Sequence, residues 1–232
     1  MAQSMRSVTI QQAIEDIGKS QWVLPAFQRK FVWNEEQICN LFDSVMRGYP
    51  IGACTLWKVG QAASEKHIFC RFLSEYQQWW KTIGEEVKNP PEEGFHAVID
   101  GQQRLTSLYI GYCGTYAVKL KYKQWRSAYD PKTQPSTRLY LNLLKDADEE
   151  TGRKYDFRFF SDAERERRED KEKWFRVGDI FDIAGDEEIE GGEADERLSR
   201  LVDSNEWLSQ CSEEERARAK EKCKTLYKRT FA

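Results

Sequence analysis

The residues best suited to chemistry stand together at Asp100-Gly101-Gln102-Gln103-Arg104. They lie between HAVID, which reads as a short buried strand, and LTSLYIGY, which reads as the start of a helix. A strand-to-helix junction presents free backbone N–H groups and the positive end of a helix dipole, so it suits an anion. Gly101 lets a ligand approach the backbone closely. Arg104 can grip a phosphate with both arms of its fork. Gln102 and Gln103 can bond a sugar, a base edge or a water, and Asp100 can hold magnesium or orient a water. The plain alternative is a turn, since Asp-Gly is a common turn pair and Gln-Gln-Arg serves equally well as a solvated face. The phosphate loop Gly-x-x-x-x-Gly-Lys-Ser/Thr does not occur in the chain.

Two further segments carry candidate groups. In PAFQRKFVW, Phe27, Phe31 and Trp33 are suited to a core, which would turn Gln28 and Arg29 elsewhere, into the same pocket as Arg104 or simply into solvent. The tract with Lys119, Lys121, Tyr122, Lys123, Trp125, Arg126 and Tyr129 interleaves cations with aromatics. Cations hold phosphates and aromatics stack on bases, so it is a candidate DNA contact. An amphipathic strand followed by a loop has the same composition.

The elements that must position these residues follow from local signals. Thr9 with Gln12 and Asn34 with Gln37 form capping-box patterns, opening helices that end at Gly18 and Gly48. Pro25 holds its neighbours extended. IGACTLWKV and KHIFC read as strands, and FLSEYQQWWKTIGEEV as a helix. YAVKLKY alternates as a strand, and TRLYLNLL with KYDFRFF makes a hairpin. Beyond Ser161 the composition shifts to charge: SDAERERREDKEK reads as an exposed helix or linker, FRVGDIFDI as an apolar return to the fold, and GDEEIEGGEADE as a mobile loop. Ser212 with Glu215 opens a last charged helix through Lys224. Strands and helices do not alternate regularly, so the class is α+β.

Composition narrows the function. Net charge is −3, so nucleic-acid contact would have to come from a local patch. The six cysteines are scattered, without a C-x-x-C pair, and read as free thiols of a reducing cytoplasm. Only His67 and His96 are present, which excludes a clustered His metal site of the HNH nuclease type. No apolar run approaches a membrane span, and the first residues carry no signal-peptide core.

Taken together, LPAFQRKFVWNEEQICNLFDSVMRGYPIGACTLWKV and HAVIDGQQRLTSLYIG resemble the N-terminal domain of GmrSD-type modification-dependent restriction endonucleases, of the ParB/sulfiredoxin-like superfamily. The resemblance implies a ParB-like core with a small mixed sheet over residues 1–160, followed by a charged, mostly helical extension over 161–232. It implies a nucleotide pocket built from Gln28, Arg29, Gly101, Gln102, Gln103, Arg104 and Thr106, with Asp100 and Arg104 as catalytic groups and Asp100 as the magnesium ligand. The implied partners are an NTP, modified DNA and a C-terminal HNH nuclease domain, while Lys119, Lys121, Lys123, Trp125 and Arg126, read from residue type alone, carry the alternative of a DNA-binding module that reads modified DNA without nucleotide chemistry. Family members continue into an Asn-Ser-x-Gly-Gly segment and that nuclease. Neither follows KTLYKRTFA, so a truncated chain is expected. NTP hydrolysis is then expected of the full-length protein, and DNA cleavage is not expected of this chain.

Overall fold

The computed structural model describes residues 5–88, 94–168, 173–184, Glu196 and 211–232. Three capping boxes open three of its helices. Thr9 opens α1 (Ile10–Gly18), Asn34 opens α2 (Glu35–Arg47), and Ser212 opens the last helix, α7 (Glu213–Phe231). In each, the cap side chain accepts from the N3 backbone N–H while the N3 side chain accepts from the cap N–H, which satisfies two orphan donors at once. Two short helices lie outside this scheme before the acidic stretch, α3 (Gln61–Ser64) and α5 (Asp162–Arg168), and α6 (Ile180–Ala184) precedes it directly.

The first sheet has the order β2 (Thr55–Val59), β5 (Phe95–Asp100), β1 (Trp22–Pro25), β3 (Phe69–Cys70). β1 and β5 run parallel, with Trp22 opposite His96 and Val23 opposite Ala97, while β2 and β3 pair antiparallel outside them. Alternation splits this sheet into two buried faces. Trp22, Leu24 and Val98 pack with Ala13 and Ile17 of α1, whereas Val23, Phe95 and Ala97 pack with Val59 and Phe69.

The second sheet is organised by β7 (Ser136–Asp146). β8 (Tyr155–Phe160) lies along one edge of it, and β6 (Thr115–Ala117) and β9 (Trp174–Arg176) share the other, since Tyr140 pairs with both Arg158 and Arg176. β4 (Glu75–Gln77) adds to β6 in parallel. The largest core cluster lies against this sheet: Ile38, Phe42 and Met46 of α2, Leu108, Ile110 and Tyr112 of α4 (Gln102–Cys113), and Ala219, Cys223 and Leu226 of α7. Leu105, one turn earlier in α4, belongs to the cluster under the first sheet. Helix α4 therefore ties the two sheets together, and its N-terminus is the candidate motif.

Two expectations are corrected. FLSEYQQWWKTIGEEV is not a helix: Phe72 and Leu73 are buried, residues 75–77 form β4, and Trp79 turns the chain at φ 76°. Tyr76 stacks on Tyr116 with ring centroids 4.6 Å apart, so strand pairing with a segment forty residues on overrides the helical spacing. In YAVKLKY only residues up to Ala117 are strand, because the Lys119 backbone N–H goes to the Gln78 side chain and Tyr122 takes φ 64°. The strand expected at IGACTLWKV begins at Thr55, and the last helix runs on to Phe231. The acidic loop GDEEIEGGEADE lies outside the described residues apart from Glu196.

The last helix is keyed into the core despite its charge. Tyr112 and Thr230 hydroxyls hydrogen bond at 2.8 Å in a buried site. The buried Lys222 ammonium donates to the Asn142 and Lys145 carbonyls and pairs with Asp146 at 2.9 Å. Burial pushes the Lys222 pKa down, against the pull of Asp146.

Candidate functional site

The β5–α4 junction forms one wall of an open cleft, and the extended segment 27–33 after β1 forms the other. Its volume is about 420 Å³, inside the range of roughly 300–1,000 Å³ typical of small-molecule sites. Gln28, Arg29, Asp100, Gly101, Gln102, Gln103 and Arg104 all line it, so two blocks far apart in sequence converge. Thr106 does not line this cleft. It is buried, and with Gln28 it lines a smaller cavity of about 20 Å³ where Gln28 Oε1 and Thr106 Oγ1 have no hydrogen-bond partner. That space is about the size of one water.

Most of the motif side chains are engaged with backbone. Gln103, itself buried, accepts from the Val32 N–H at 3.0 Å and donates to the Lys30 carbonyl at 3.1 Å, so it docks as a backbone-like rung on the facing segment. Gln102 donates to the Arg29 carbonyl at 2.9 Å. From the other wall, Gln28 donates to the carbonyls of Val98 at 2.7 Å and Ile99 at 3.1 Å. Arg104 spreads its fork over a third segment, donating to Ile51 O at 2.6 Å and Ala53 O at 2.8 Å, and it lies 3.4 Å from Asp100 Oδ2. Gly101 sits at φ 93°, where a Cβ would also stand 2.5 Å from Cys54 Sγ, so conformation and space both require glycine.

A smaller set is turned to the cleft. The Arg29 guanidinium makes no hydrogen bond or ion pair among the described residues. The Asp100 carboxylate is 73% exposed. Gly101, the N-cap of α4, offers no side-chain cap, which leaves the first N–H groups of the helix to the cleft. Phe27, 74% exposed, and Trp33 add apolar wall, while Phe31 is buried in the core. The loop carrying Ile51, Gly52 and Ala53 is part of the site and escaped residue-by-residue reading. Its only signal is the Gly-Tyr-Pro-Ile-Gly string, where Gly52 at φ 85° leaves room for Arg104.

The expected DNA contacts lie elsewhere. Lys119, Lys121, Lys123, Trp125 and Arg126 belong to the loop between β6 and β7, and none of them lines the cleft. Lys119 is used internally, donating to the Leu120 and Lys123 carbonyls and sitting 5.6 Å over the Trp125 ring. No group of three metal-ligating side chains occurs among the described residues. No helix among them is long and apolar enough to cross a membrane, and all six cysteines are free.

The architecture is thus an α+β domain with a ligand-sized cleft at a strand-to-helix turn. The family model of the GmrSD restriction endonuclease N-terminal domain matches residues 10–229, and the chain belongs to that family. No curated protein matches it.

Proposed function

We propose that this chain is a nucleotide-binding regulatory domain of a DNA restriction endonuclease. The observation that carries the reading is the convergence, in one cleft, of an unpartnered guanidinium, an uncapped helix N-terminus and an exposed carboxylate. Arg29 and the α4 N–H groups suit a phosphate chain. Arg104 borders the same space while holding the 51–53 loop, so it would act on a ligand through a clamped, pre-oriented fork. Asp100 would be the carboxylate to meet magnesium, whose other ligands would come from phosphate oxygens and water, as is usual for that ion. Nucleotide binding would bias how the domain docks on its nuclease partner, and DNA modification would bias the same equilibrium.

The test is calorimetric titration of ATP, GTP, CTP and UTP with magnesium into wild type, Arg29→Ala and Asp100→Asn. Binding of one nucleotide that falls at least tenfold in Arg29→Ala, with an unchanged melting temperature, is the expected result. Unaltered affinity in that variant removes the site. Absence of binding by all four favours the other reading, a DNA-binding module that reads modified DNA without nucleotide chemistry.

A further inference from the structure

The loop between β6 and β7 has a surface that the cleft does not use. Trp79 and Trp125 meet edge to face, with centroids 5.5 Å apart, and are 72% and 43% exposed. Trp80, also exposed, and Tyr122, exposed over its whole side chain, stand on the same two loops. Exposed indoles and phenols in such number are costly to leave in water, and here Trp80 is held in place from below. Gln134, fully buried, takes Trp80 Nε1 at 3.2 Å and donates to Gln78 O at 3.1 Å once its amide is turned to face them. Gln78 in turn holds the Lys119 N–H and Ala117 O.

Backbone geometry gives a second, independent sign. Among the described residues three non-glycines have positive φ, and two of them are Trp79 and Tyr122. A bulky side chain in that region is strained by about 1–3 kcal/mol, and such strain concentrates where a ligand is met. Charge gives a third. Five cations and one carboxylate fall between Lys119 and Lys132, in a chain of net charge −3. Lys121 and Lys123 have no side-chain partner among the described residues.

We propose that Trp79, Trp125 and Tyr122, flanked by Lys121 and Lys123, form a stacking platform for an unpaired DNA strand. The aromatics take bases on their faces and the lysines take the phosphates between them, the combination that binds single strands with little sequence preference. Duplex DNA hides its base faces and would gain only the phosphate contacts. The proposal is independent of the nucleotide reading of the cleft.

The experiment is fluorescence anisotropy of labelled dT20, single-stranded and paired with dA20, with tryptophan quenching read in parallel. Trp79→Gly removes the indole and relieves the positive φ, so the fold should survive, and circular dichroism checks this. The single strand is expected to bind more tightly than the duplex and to quench tryptophan. Trp79→Gly and Trp125→Ala should each weaken it roughly tenfold, the loss of one stacked base, while Trp125→Phe retains most of the affinity. Lys121→Ala with Lys123→Ala should lower the salt slope by about 1.4. Equal or tighter duplex binding, no binding at low salt, or unchanged affinity in both tryptophan variants would overturn the platform. Nucleotide titration should be unchanged in Trp79→Gly and dT20 binding unchanged in Arg29→Ala, so a failure of either site is seen separately.

Discussion

The cleft and the β6–β7 loop place similar side chains in opposite conditions. Around the cleft, Gln28, Gln102, Gln103 and Arg104 are engaged with carbonyls and N–H groups of neighbouring segments, and little besides Arg29 and Asp100 is left to meet a ligand. On the loop, the buried Gln134 and the half-buried Gln78 from the turn after β4 do the holding, and the aromatics and two lysines face outward. The first region spends its recognisable motif on building walls. The second hides its scaffold and displays its contact groups. A motif that identifies a site therefore need not be the part that touches the ligand.

Substitutions can break or sharpen that contrast. The largest effect is expected for Arg104→Lys, which keeps charge but loses the fork over Ile51 and Ala53. Stability without ligand should fall by about 3 kcal/mol in urea denaturation, because two charge-assisted hydrogen bonds go. If ligand-free stability were unchanged, Arg104 would not be a clamp and the contrast would fail. Gln103→Ala should cost about 2 kcal/mol by leaving the Val32 N–H and Lys30 carbonyl unpaired. Gly101→Ala should cost about 1–2 kcal/mol through its positive φ and the Cys54 sulfur beneath it. Arg29→Ala should change stability by less than about 0.5 kcal/mol, the usual range for a surface substitution, while lowering nucleotide affinity. Lys121→Ala with Lys123→Ala should be as silent thermodynamically and visible only in strand binding.

Much of the frame was legible because its causes are local. Capping boxes at Thr9, Asn34 and Ser212 and the hairpin turn at Gly152 are set by residues within a few positions of one another. The failures are long-range. Tyr76 and Trp80 carry helical spacing, yet β4 pairs with β6 and Trp80 is fixed by Gln134, partners that local periodicity does not contain. The charge of 213–231 suggests an exposed appendage, while Ala219, Cys223 and Leu226 form a narrow stripe in the main core. For the site, the gathering of Gln28, Arg29 and Asp100 to Arg104 was foreseeable and the division of labour was not. The bonds that decide it join residues 51 to 73 positions apart.

Those long spans have a kinetic side. Each clamp closes a loop of fifty residues or more, and such closures come late in folding because chain entropy must be lost before the contact returns anything. The three segments around the cleft depend on one another's backbone groups, so a partly folded chain has no partial version of the site. Recognition at the cleft is therefore a report that the domain is finished: a ligand selecting it would hold three distant stretches together and slow their separation, guarding the completed fold against reopening.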